Sequence, residues 1–335
     1  METKTNPIVW MFSGQGSQYY QMGKGLYNNN DTFRFWMDRL DQLAVNYVGH
    51  SIVEMLYDKN QSKSESFDQI LYTHPALFMV QYSLAKTLLA ENLPSPDYLF
   101  GASLGEFVAA AFADVADVEK MLFDIIKQAR LFDMHCGGGA MLVVIDDIDS
   151  FKTNPLFSDG CELAGVNFDR SFVVSGLQNK ILQLAEQLKK QDITHQILPV
   201  SVAFHSSHID VVKDIFMKTF ANNIYHPAKI PIISCLQSAD VEQGRGVAVM
   251  EGHGGFSSTH WWTVIRQPIA FKQTLVKFQH NHPQAVYLDV SPSGNMATFT
   301  KYNLPESMHN RIMSIMTPFG NEQESIDAVK ERLIR

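Results

Sequence analysis

A serine enclosed by two glycines is the first feature of this sequence that could do chemistry. Ser103 stands in the stretch YLFGASLGEF, residues 98–107, between Gly101 and Gly105. In a G-x-S-x-G pattern the glycines let a strand meet a helix in a tight turn, which leaves the serine hydroxyl exposed. The same turn directs the backbone N–H of Leu104 at a developing oxyanion. Glycine-flanked serines also occur in ordinary turns, so the pattern indicates either a nucleophile or a structural turn.

A serine hydroxyl becomes a good nucleophile only when a base removes its proton, and the twelve histidines supply the candidates. The stretch VSVAFHSSHI favours His205, which ends an apolar segment that we predict to be a strand and then enters a polar turn. His208 is the rival. Asp210 and Asp214 are close in sequence, but nothing places either of them against the imidazole ring. A backbone carbonyl is therefore the alternative group for orienting the base.

Two further polar motifs are candidates for ligand binding. The stretch GQGSQ, residues 14–18, has two glycines and no following lysine, which is a poor match to a phosphate-binding loop. The backbone N–H of Gln15 fits better as a second oxyanion donor. The stretch HNH at 280–282 precedes a proline and lacks a further ligand at useful spacing, so a surface turn is favoured over a metal site. We expect no metal and no cofactor of the protein's own.

The elements that must hold these residues alternate between strands and helices. PIVWMF (7–12) and PDYLFG (96–101) are typical of buried strands, and apolar residues three and four apart predict helices over 31–45, 74–92 and from Asp117 onward. This alternation predicts an α/β fold with a largely parallel sheet. From Gly139 the pattern changes to a compact run of strands around helices about sixty residues long, which predicts a small embedded domain.

Composition limits the function classes. The chain has 335 residues, 45% hydrophobic and 19% charged, with a formal net charge of −8, which argues against a general nucleic-acid binder. Cys136, Cys161 and Cys235 show no C-x-x-C spacing, so a disulfide framework is not expected. The stretch METKTNPIVW has no basic region followed by an apolar run, and no apolar run approaches membrane-spanning length, so we expect neither a leader nor a membrane span. We expect a cytoplasmic, monomeric protein that is not bound to a membrane.

Four motifs in order, GQGSQ, GASLGE, VAFHS and DVSPSG, make nearly the whole chain resemble the malonyl-CoA:acyl-carrier-protein transacylase family. The resemblance implies an α/β-hydrolase-like core with a parallel sheet and an inserted ferredoxin-like subdomain. We accordingly assign 1–138 and 204–335 to the large domain and 139–203 to the insertion.

The resemblance also implies roles for individual residues. Ser103 becomes the nucleophile, His205 the base, and the N–H groups of Gln15 and Leu104 the oxyanion hole. The carbonyl that orients His205 is expected from the segment before Pro268, and we assign it to Val264. The expected substrate-binding residues are Gln128, Ala102, Asn167 and Phe204.

Two of these positions depart from the family pattern. Malonyl-specific members carry histidine before the nucleophile, where this chain has Ala102, and an arginine that grips the malonyl carboxylate, where this chain has Gln128. Arg130 is two residues away, a rotation of about 200° on a helix, so it cannot replace that arginine without a local slip. A carboxylate without a cationic partner pays several kcal/mol of desolvation, so we expect the cleft to favour uncharged acyl groups, acetyl and longer.

With Gln128, the framework resembles the stand-alone acyl hydrolases of trans-acyltransferase polyketide synthases. That resemblance implies an editing enzyme that cleaves stalled acyl groups from the phosphopantetheine thioesters of acyl carrier proteins. The alternatives are a malonyl-CoA:acyl-carrier-protein transacylase using Arg130 or another cation, a general esterase, a non-catalytic docking protein, and a solvated Gln128 without a role in selectivity. The candidate contacts to a small acidic carrier protein are Lys189, Lys190, Arg266 and Lys272.

Overall fold

The protein is described by a computed structural model, which covers residues 6–236, 249–250 and 255–334. Its strands form two sheets. The first is six-stranded in the order β10-β9-β1-β2-β7-β8, and every pair in it is parallel except β7 with β8. Its strands are β1 (Ile8–Phe12), β2 (Tyr98–Gly101), β7 (Ile232–Ser234), β8 (Val249–Met250), β9 (Val286–Asp289) and β10 (Ile312–Ser314).

The parallel sheet is covered on both faces. Side chains of consecutive residues in a strand point to opposite faces, and in β1 Val9 and Met11 belong to one apolar cluster while Trp10 and Phe12 belong to another. All four are fully buried. This double burial explains why β1 and β2 are short continuous apolar runs in the sequence rather than alternating ones.

The helices include those predicted from the sequence, and α6 begins next to Asp117 as expected, although the Asp117 side chain makes no capping hydrogen bond. In the described part of the chain, no helix is both long enough and apolar enough to cross a bilayer. The helices are α1 (Lys24–Asn29), α2 (Asp31–Val48), α3 (Ile52–Leu56), α4 (Ile70–Ala90), α5 (Leu104–Phe112), α6 (Val118–His135), α7 (Ile148–Thr153), α8 (Gln178–Lys190), α9 (Lys213–Phe220), α10 (Ser258–Arg266), α11 (Phe271–Asn281), α12 (Asn295–Asn303) and α13 (Glu322–Ile334), with short 3-10 helices at Pro155–Ser158, Ser207–Val212 and Glu306–Arg311.

The second sheet is antiparallel and has the order β4-β5-β3-β6. Together with α7 and α8 it follows the chain order βαββαβ, which is the ferredoxin-like arrangement. The expected α/β class with a parallel sheet and a ferredoxin-like insertion is therefore confirmed. The limits 139–203 of the insertion stay a prediction, with all four strands inside them: β3 (Gly139–Val144), β4 (Cys161–Phe168), β5 (Ser171–Leu177) and β6 (His195–Ile197).

The expected strand leading into His205 is wrong. Strand β6 ends at Ile197, and residues 198–206 run as bends and turns. Pro199 follows within two residues, and because proline lacks an N–H it cannot extend the hydrogen-bond ladder. Tight hydrogen bonds take over instead, from Val200 N to Leu198 O at 2.8 Å and from Phe204 N to Val202 O at 3.0 Å.

Candidate active site

Ser103 lies at the carboxyl end of β2, in the sharp turn that leads into α5. Its backbone has φ 53° and ψ −121°, a conformation that costs free energy for a residue with a side chain and is tolerated where the surroundings enforce it. The flanking glycines are needed for close packing. A Cβ on Gly105 would lie 2.1 Å from the carbonyl oxygen of Phe12, and one on Gly101 would lie 2.3 Å from Cα of Glu106.

His205 lies against this serine. The distance from Ser103 Oγ to His205 Nε2 is 2.9 Å, and that from His205 Nδ1 to the carbonyl oxygen of Gln267 is 2.8 Å. Because a carbonyl only accepts hydrogen bonds, Nδ1 carries the proton in the neutral ring and donates it to Gln267. The lone pair of Nε2 then faces the serine hydroxyl. The structure thus places the predicted nucleophile and the predicted base in contact, although they are 102 positions apart in the sequence.

The carbonyl that contacts His205 belongs to Gln267, so the assignment to Val264 is wrong. Helix α10 ends at Arg266, and Gln267 has extended backbone angles, φ −83° and ψ 152°, which turn its carbonyl out of the helix. Val264 lies one helical turn earlier and is buried. The neighbouring carbonyl of Ile265 also contacts the base, accepting a 3.0 Å hydrogen bond from the backbone N–H of His205. Pro268, directly after Gln267, was the available signal for this position.

Burial controls the charge of the base. It lowers the pKa of His205 to about 4, with a smaller lowering effect from the Arg266 guanidinium, while the hydrogen bond to Gln267 acts in the opposite direction. At neutral pH the imidazole is therefore uncharged and can accept a proton. Asp210 forms an ion pair with Arg266 at 2.7 Å and 3.1 Å instead of contacting His205.

The two expected oxyanion donors lie beside the serine. Gln15 follows the carboxyl end of β1, and Leu104 is the first residue of α5. The first N–H groups of a helix have no partner within it, so the N–H of Leu104 is free of the helix ladder. Both residues line a small cavity together with Ser103. The Gln15 side chain is held by a 2.9 Å hydrogen bond to Thr73 Oγ1.

Three cavities reach Ser103. One of them, of about 10 Å³, is lined by Ser103, Glu106, Cys235, Leu236, Val264, Gln267, Pro268 and Ile269. The other two are the candidate substrate cavities. The larger has a volume of about 300 Å³ and lies between the parallel sheet and the ferredoxin-like sheet, while the smaller has about 10 Å³, room for little more than one water. Among the described side chains around these two there is no Lys, Arg, Asp or Glu. The larger cavity is lined by Ser13, Gly14, Gln15, Gly16, Ala102, Ser103, Met141, Val143, Ala164, Gly165, Asn167, Val173, Gln196, Leu198, Phe204, His205, Ile269, Phe271, Asn295, Met296 and Phe299, and the smaller by Gln15, His74, Ser103, Leu104, Gln128, Phe204 and Ile265.

Gln128 faces the smaller cavity from α6. Its side chain is 1% exposed, and within the described residues its amide oxygen has no hydrogen-bond partner. Arg130 is exposed, and its guanidinium donates to the backbone carbonyl of Tyr47. Burial lowers the pKa of His74, across the same cavity, to about 3, so that ring is neutral too. The buried amide of Gln128 and the neutral imidazole of His74 therefore lie beside Ser103, at the place where the family resemblance implies an arginine.

The remaining predicted substrate-binding residues also line the larger cavity. They are Ala102, Asn167 and Phe204, and Phe204 lines both cavities. Phe204 is fixed between the rings of His74 and Phe132, with centroid distances of 5.5 Å and 5.2 Å.

The four basic residues proposed for carrier-protein contact divide into two pairs. Arg266 and Lys272 are already in ion pairs, with Asp210 and Asp169 respectively. Lys189 and Lys190 are exposed at the end of α8. Their contact with a partner stays a prediction.

Three residues near the dyad were missed by the sequence analysis: Gln267, Glu106 and His260. Glu106 is buried three residues after Ser103, within the GASLGE motif, and contacts His260 at 2.8 Å. The inclusion of a glutamate in an otherwise apolar helix was the signal for a buried polar contact. Among the described residues, no group of three or more His, Cys, Asp and Glu side chains is arranged to hold a metal ion.

Comparison with known proteins identifies the family to which this fold and this serine–histidine pair belong. The sequence profile of the acyl transferase domain matches residues 9–318, and the chain belongs to that family. Two relatives match it over nearly their full length. One, from Bacillus velezensis, is named polyketide biosynthesis acyltransferase homolog BaeD and is 37% identical over 328 residues, 98% of this chain and 97% of its own. The other, PksD of Bacillus subtilis with the same descriptive name, is 38% identical over 324 residues, 97% of this chain and 96% of its own.

Solved structures share the fold. A loading acyltransferase from the avermectin modular polyketide synthase superposes with a TM-score of 0.84 at 22% identity, covering 98% of this chain and 100% of the other. The malonyl CoA-acyl carrier protein transacylase of Coxiella burnetii superposes with a TM-score of 0.77 at 20% identity, covering 98% of each chain. At these identities the likeness concerns the fold alone.

Proposed function

We propose that this protein is an acyl hydrolase that removes uncharged acyl groups from the phosphopantetheine thioesters of acyl carrier proteins. The observation that carries the proposal is the uncharged lining of the larger cavity and of the cavity beside Gln128, with buried Gln128 where the family resemblance places an arginine. The names of the two Bacillus relatives support a setting in polyketide biosynthesis. In that setting the enzyme would clear carrier proteins that hold a stalled acyl group.

Acylation is the first half of the proposed reaction. Ser103 Oγ attacks the thioester carbonyl while His205 Nε2 takes the hydroxyl proton, a transfer that the 2.9 Å contact supports. The carbonyl oxygen becomes an oxyanion, which the N–H groups of Gln15 and Leu104 stabilise. The C–S bond then breaks, the sulfur takes the proton from His205, and the carrier protein leaves with a free thiol. The acyl group remains as an ester on Ser103.

Water completes the cycle. The water oxygen attacks the ester carbonyl while His205 Nε2 takes one proton from that water. The N–H groups of Gln15 and Leu104 stabilise the second oxyanion. The C–Oγ bond breaks, Ser103 recovers its proton from His205, and the product is a free carboxylic acid. The Gln267 carbonyl holds Nδ1–H through both halves, so Nε2 alternates between accepting and donating the proton.

The uncharged lining sets which acyl groups can enter. A malonyl group carries a carboxylate, and moving it into this cleft without a cation costs several kcal/mol of desolvation. An acetyl group carries no such charge, so the same dyad can process it without that cost. The cavity beside Gln128, about 10 Å³, has room for little more than a methyl-sized group, so an acetyl group should enter with less movement of the lining side chains than a longer acyl group.

The two cavities suggest how the substrate lies. We place the acyl group beside Gln128 and the phosphopantetheine arm in the larger cavity, where the amides of Asn167 and Gln196 match the amide groups of the arm. The arm belongs to the substrate, so the protein needs no cofactor of its own in this scheme. The proposed partner is an acyl carrier protein.

Hydrolysis of defined thioesters tests the proposal. Carrier protein loaded with acetyl, butyryl or malonyl is incubated with enzyme and followed by intact-protein mass spectrometry, with Ser103→Ala as the control for uncatalysed loss. We expect enzyme-dependent loss of acetyl, slower loss of butyryl, and retention of malonyl. Rapid malonyl labelling of Ser103 followed by transfer to a second carrier protein would instead establish a malonyl transacylase. Full biological effect of Ser103→Ala would establish a docking protein.

A further inference from the structure

A buried carboxylate lies close to the nucleophile but does not contact the reacting groups. Glu106 is 1% exposed and sits in the first turn of α5, the helix that begins directly after Ser103. Both of its oxygens are paired: Oε1 accepts from His260 Nε2 at 2.8 Å, and Oε2 accepts from Ser234 Oγ at 2.9 Å. A buried glutamate without hydrogen-bond partners would cost free energy of desolvation, so the folded protein favours the geometry in which both contacts are kept.

The partner histidine belongs to the element that holds the base. His260 is on α10. The two carbonyls that contact His205 belong to Ile265, in the last turn of this helix, and to Gln267, the residue directly after it. Ile265 O accepts from the His205 backbone N–H at 3.0 Å, and Gln267 O accepts from Nδ1 at 2.8 Å. His205 has φ 58°, an unfavourable region for a side-chain-bearing residue, so its position depends on such external bonds.

These contacts form a closed circuit through two helices. It runs from Ser103 along α5 to Glu106, across to His260, along α10 to Gln267, and through His205 back to Ser103. Apolar packing also joins the helices, with the rings of Phe107 and Trp261 stacked at 4.3 Å. Stacked rings tolerate sliding, whereas a directional hydrogen bond between buried groups fixes the register of one helix against the other.

We infer that Glu106 and His260 are positioning residues that fix the distance between the serine nucleophile and its histidine base. They act through α10 and the Gln267 carbonyl, without touching the substrate. The inference rests on the proposed roles of Ser103 and His205. A shift of about 1 Å in a catalytic group can cost on the order of 100-fold in rate, so a small slide of α10 is enough to matter.

Two substitutions at His260 distinguish the effect of its hydrogen bond from the effect of its side-chain volume. His260→Leu removes the donor and keeps the volume, whereas His260→Gln keeps an N–H donor that can reach Glu106. With acetyl-carrier protein we expect His260→Leu to lower kcat by about 10- to 100-fold with KM changed less than about twofold. His260→Gln should recover most of that loss. His50→Ala, at an exposed histidine between α2 and α3, is the matched control and should leave both constants unchanged.

A second variant and a second readout complete the test. Glu106→Gln removes one acceptor oxygen without removing volume, and we expect it to lower kcat several-fold. It provides the test in a folded protein if His260→Leu does not fold. The rate at which a fluorophosphonate labels Ser103 reports the dyad alone, so it remains readable even if no acyl-carrier protein is hydrolysed. If the wild-type enzyme is labelled but hydrolyses no acyl-carrier protein, the proposed function is contradicted. The positioning role is then tested by the labelling rates of the variants. Folded His260→Leu or Glu106→Gln with wild-type labelling rates would overturn the inference.

Discussion

At the scale of single residues, the site depends on an uncharged base held in one tautomer. His205 is buried against Ser103, and the Gln267 carbonyl accepts from its Nδ1, so the proton-accepting nitrogen faces the hydroxyl. No acid is needed to set this orientation, because the backbone supplies it. The candidate dyad therefore contains a neutral imidazole, whose pKa is lowered chiefly by burial.

The lowered pKa of His205 predicts the acid limit of activity. Because the base must be neutral, kcat/KM should stay level from pH 8 to about pH 5 and fall to half near pH 4, the pKa of the buried ring, instead of near its ordinary 6.5. A short acetyl thioester without a carrier protein keeps other titrations out of the profile. A midpoint near 6.5 would show that water reaches the ring.

The stability consequence has a definite sign. The folded-state pKa of His205 lies below 6.5, so the unfolded chain takes up the proton first, and this group's contribution to stability is lost as pH falls from 6.5 to 4. The activity profile should therefore be collected in brief assays, with return to pH 7 restoring full activity.

Gln128 carries the prediction on acyl selectivity. Gln128→Arg would supply a cation that the described lining of the cleft lacks. Charge-assisted hydrogen bonds of about 1.5–3 kcal/mol correspond to roughly a 10- to 100-fold gain in malonyl labelling of Ser103. Acetyl hydrolysis should fall. Arg130→Gln is the matched control, because Arg130 is exposed and contacts Tyr47, and it should leave the acetyl-to-malonyl ratio unchanged. An unaltered ratio in Gln128→Arg would remove Gln128 from the acyl site.

Residues differ in how well the sequence predicts them. Ser103 and His205 are recognisable because their side chains stand in distinctive motifs. The orienting carbonyl is a backbone group without a side-chain signature, so its placement at Val264 was three residues wrong. The contact between Glu106 and His260 joins positions 154 apart, and only the folded chain reveals that each has the other as its partner.

At the scale of elements, the turn between β2 and α5 is determined by backbone contacts. Gly105 packs directly on β1, and Gly101 packs on the first turn of α5. The sequence predicted this turn correctly from its glycines. The approach to His205 was less predictable. An apolar run such as VSVAF suits a strand in isolation, but it follows Pro199, which has no N–H for a ladder, and its contact with β3 is an isolated hydrogen bond from Gly139 N to Ser201 O at 3.1 Å, outside the regular pairing.

The turn can be tested by adding one methyl group. A Cβ at Gly105 would lie 2.1 Å from a β1 carbonyl oxygen that cannot move without breaking the sheet, so Gly105→Ala should lower stability by about 1–3 kcal/mol or more. Thermal unfolding measures this loss. Gly137→Ala is the control, because nothing lies within 4 Å of its added Cβ, and it should keep the wild-type Tm. Equal Tm values for the two variants would contradict the packing described here.

At the scale of the whole molecule, the candidate active site lies where two sheets face each other. The parallel sheet carries Ser103 and Gln15 at the carboxyl ends of neighbouring strands, the usual position of ligand sites in such folds. The ferredoxin-like sheet closes the larger cavity from the other side, with Met141, Asn167 and Gln196 among its lining residues. The α/β class followed from the alternation of elements, whereas the ferredoxin-like order of the insertion followed only from the family resemblance.

Phe204 stands where the two cavities adjoin, and it predicts the limit on acyl length. Removing its ring should join the small cavity to the larger one, so Phe204→Ala is expected to raise the octanoyl-to-acetyl ratio of kcat/KM at least about tenfold, the lower end of the effect of one methylene contact. Phe204→Leu should give a smaller rise. Initial rates with the two loaded carrier proteins measure the ratio. A ratio unchanged in both folded variants would place the acyl chain elsewhere.

The central claim is that an uncharged cleft selects uncharged acyl groups and passes them to water. The most direct measurement mixes equal amounts of acetyl- and malonyl-loaded carrier protein with an unloaded carrier of different mass, adds enzyme, and follows all three by intact-protein mass spectrometry. We predict that acetyl is lost as free acetate, malonyl stays in place, and the unloaded carrier gains nothing. Loss of malonyl at the same rate, or acylation of the unloaded carrier, would contradict the account.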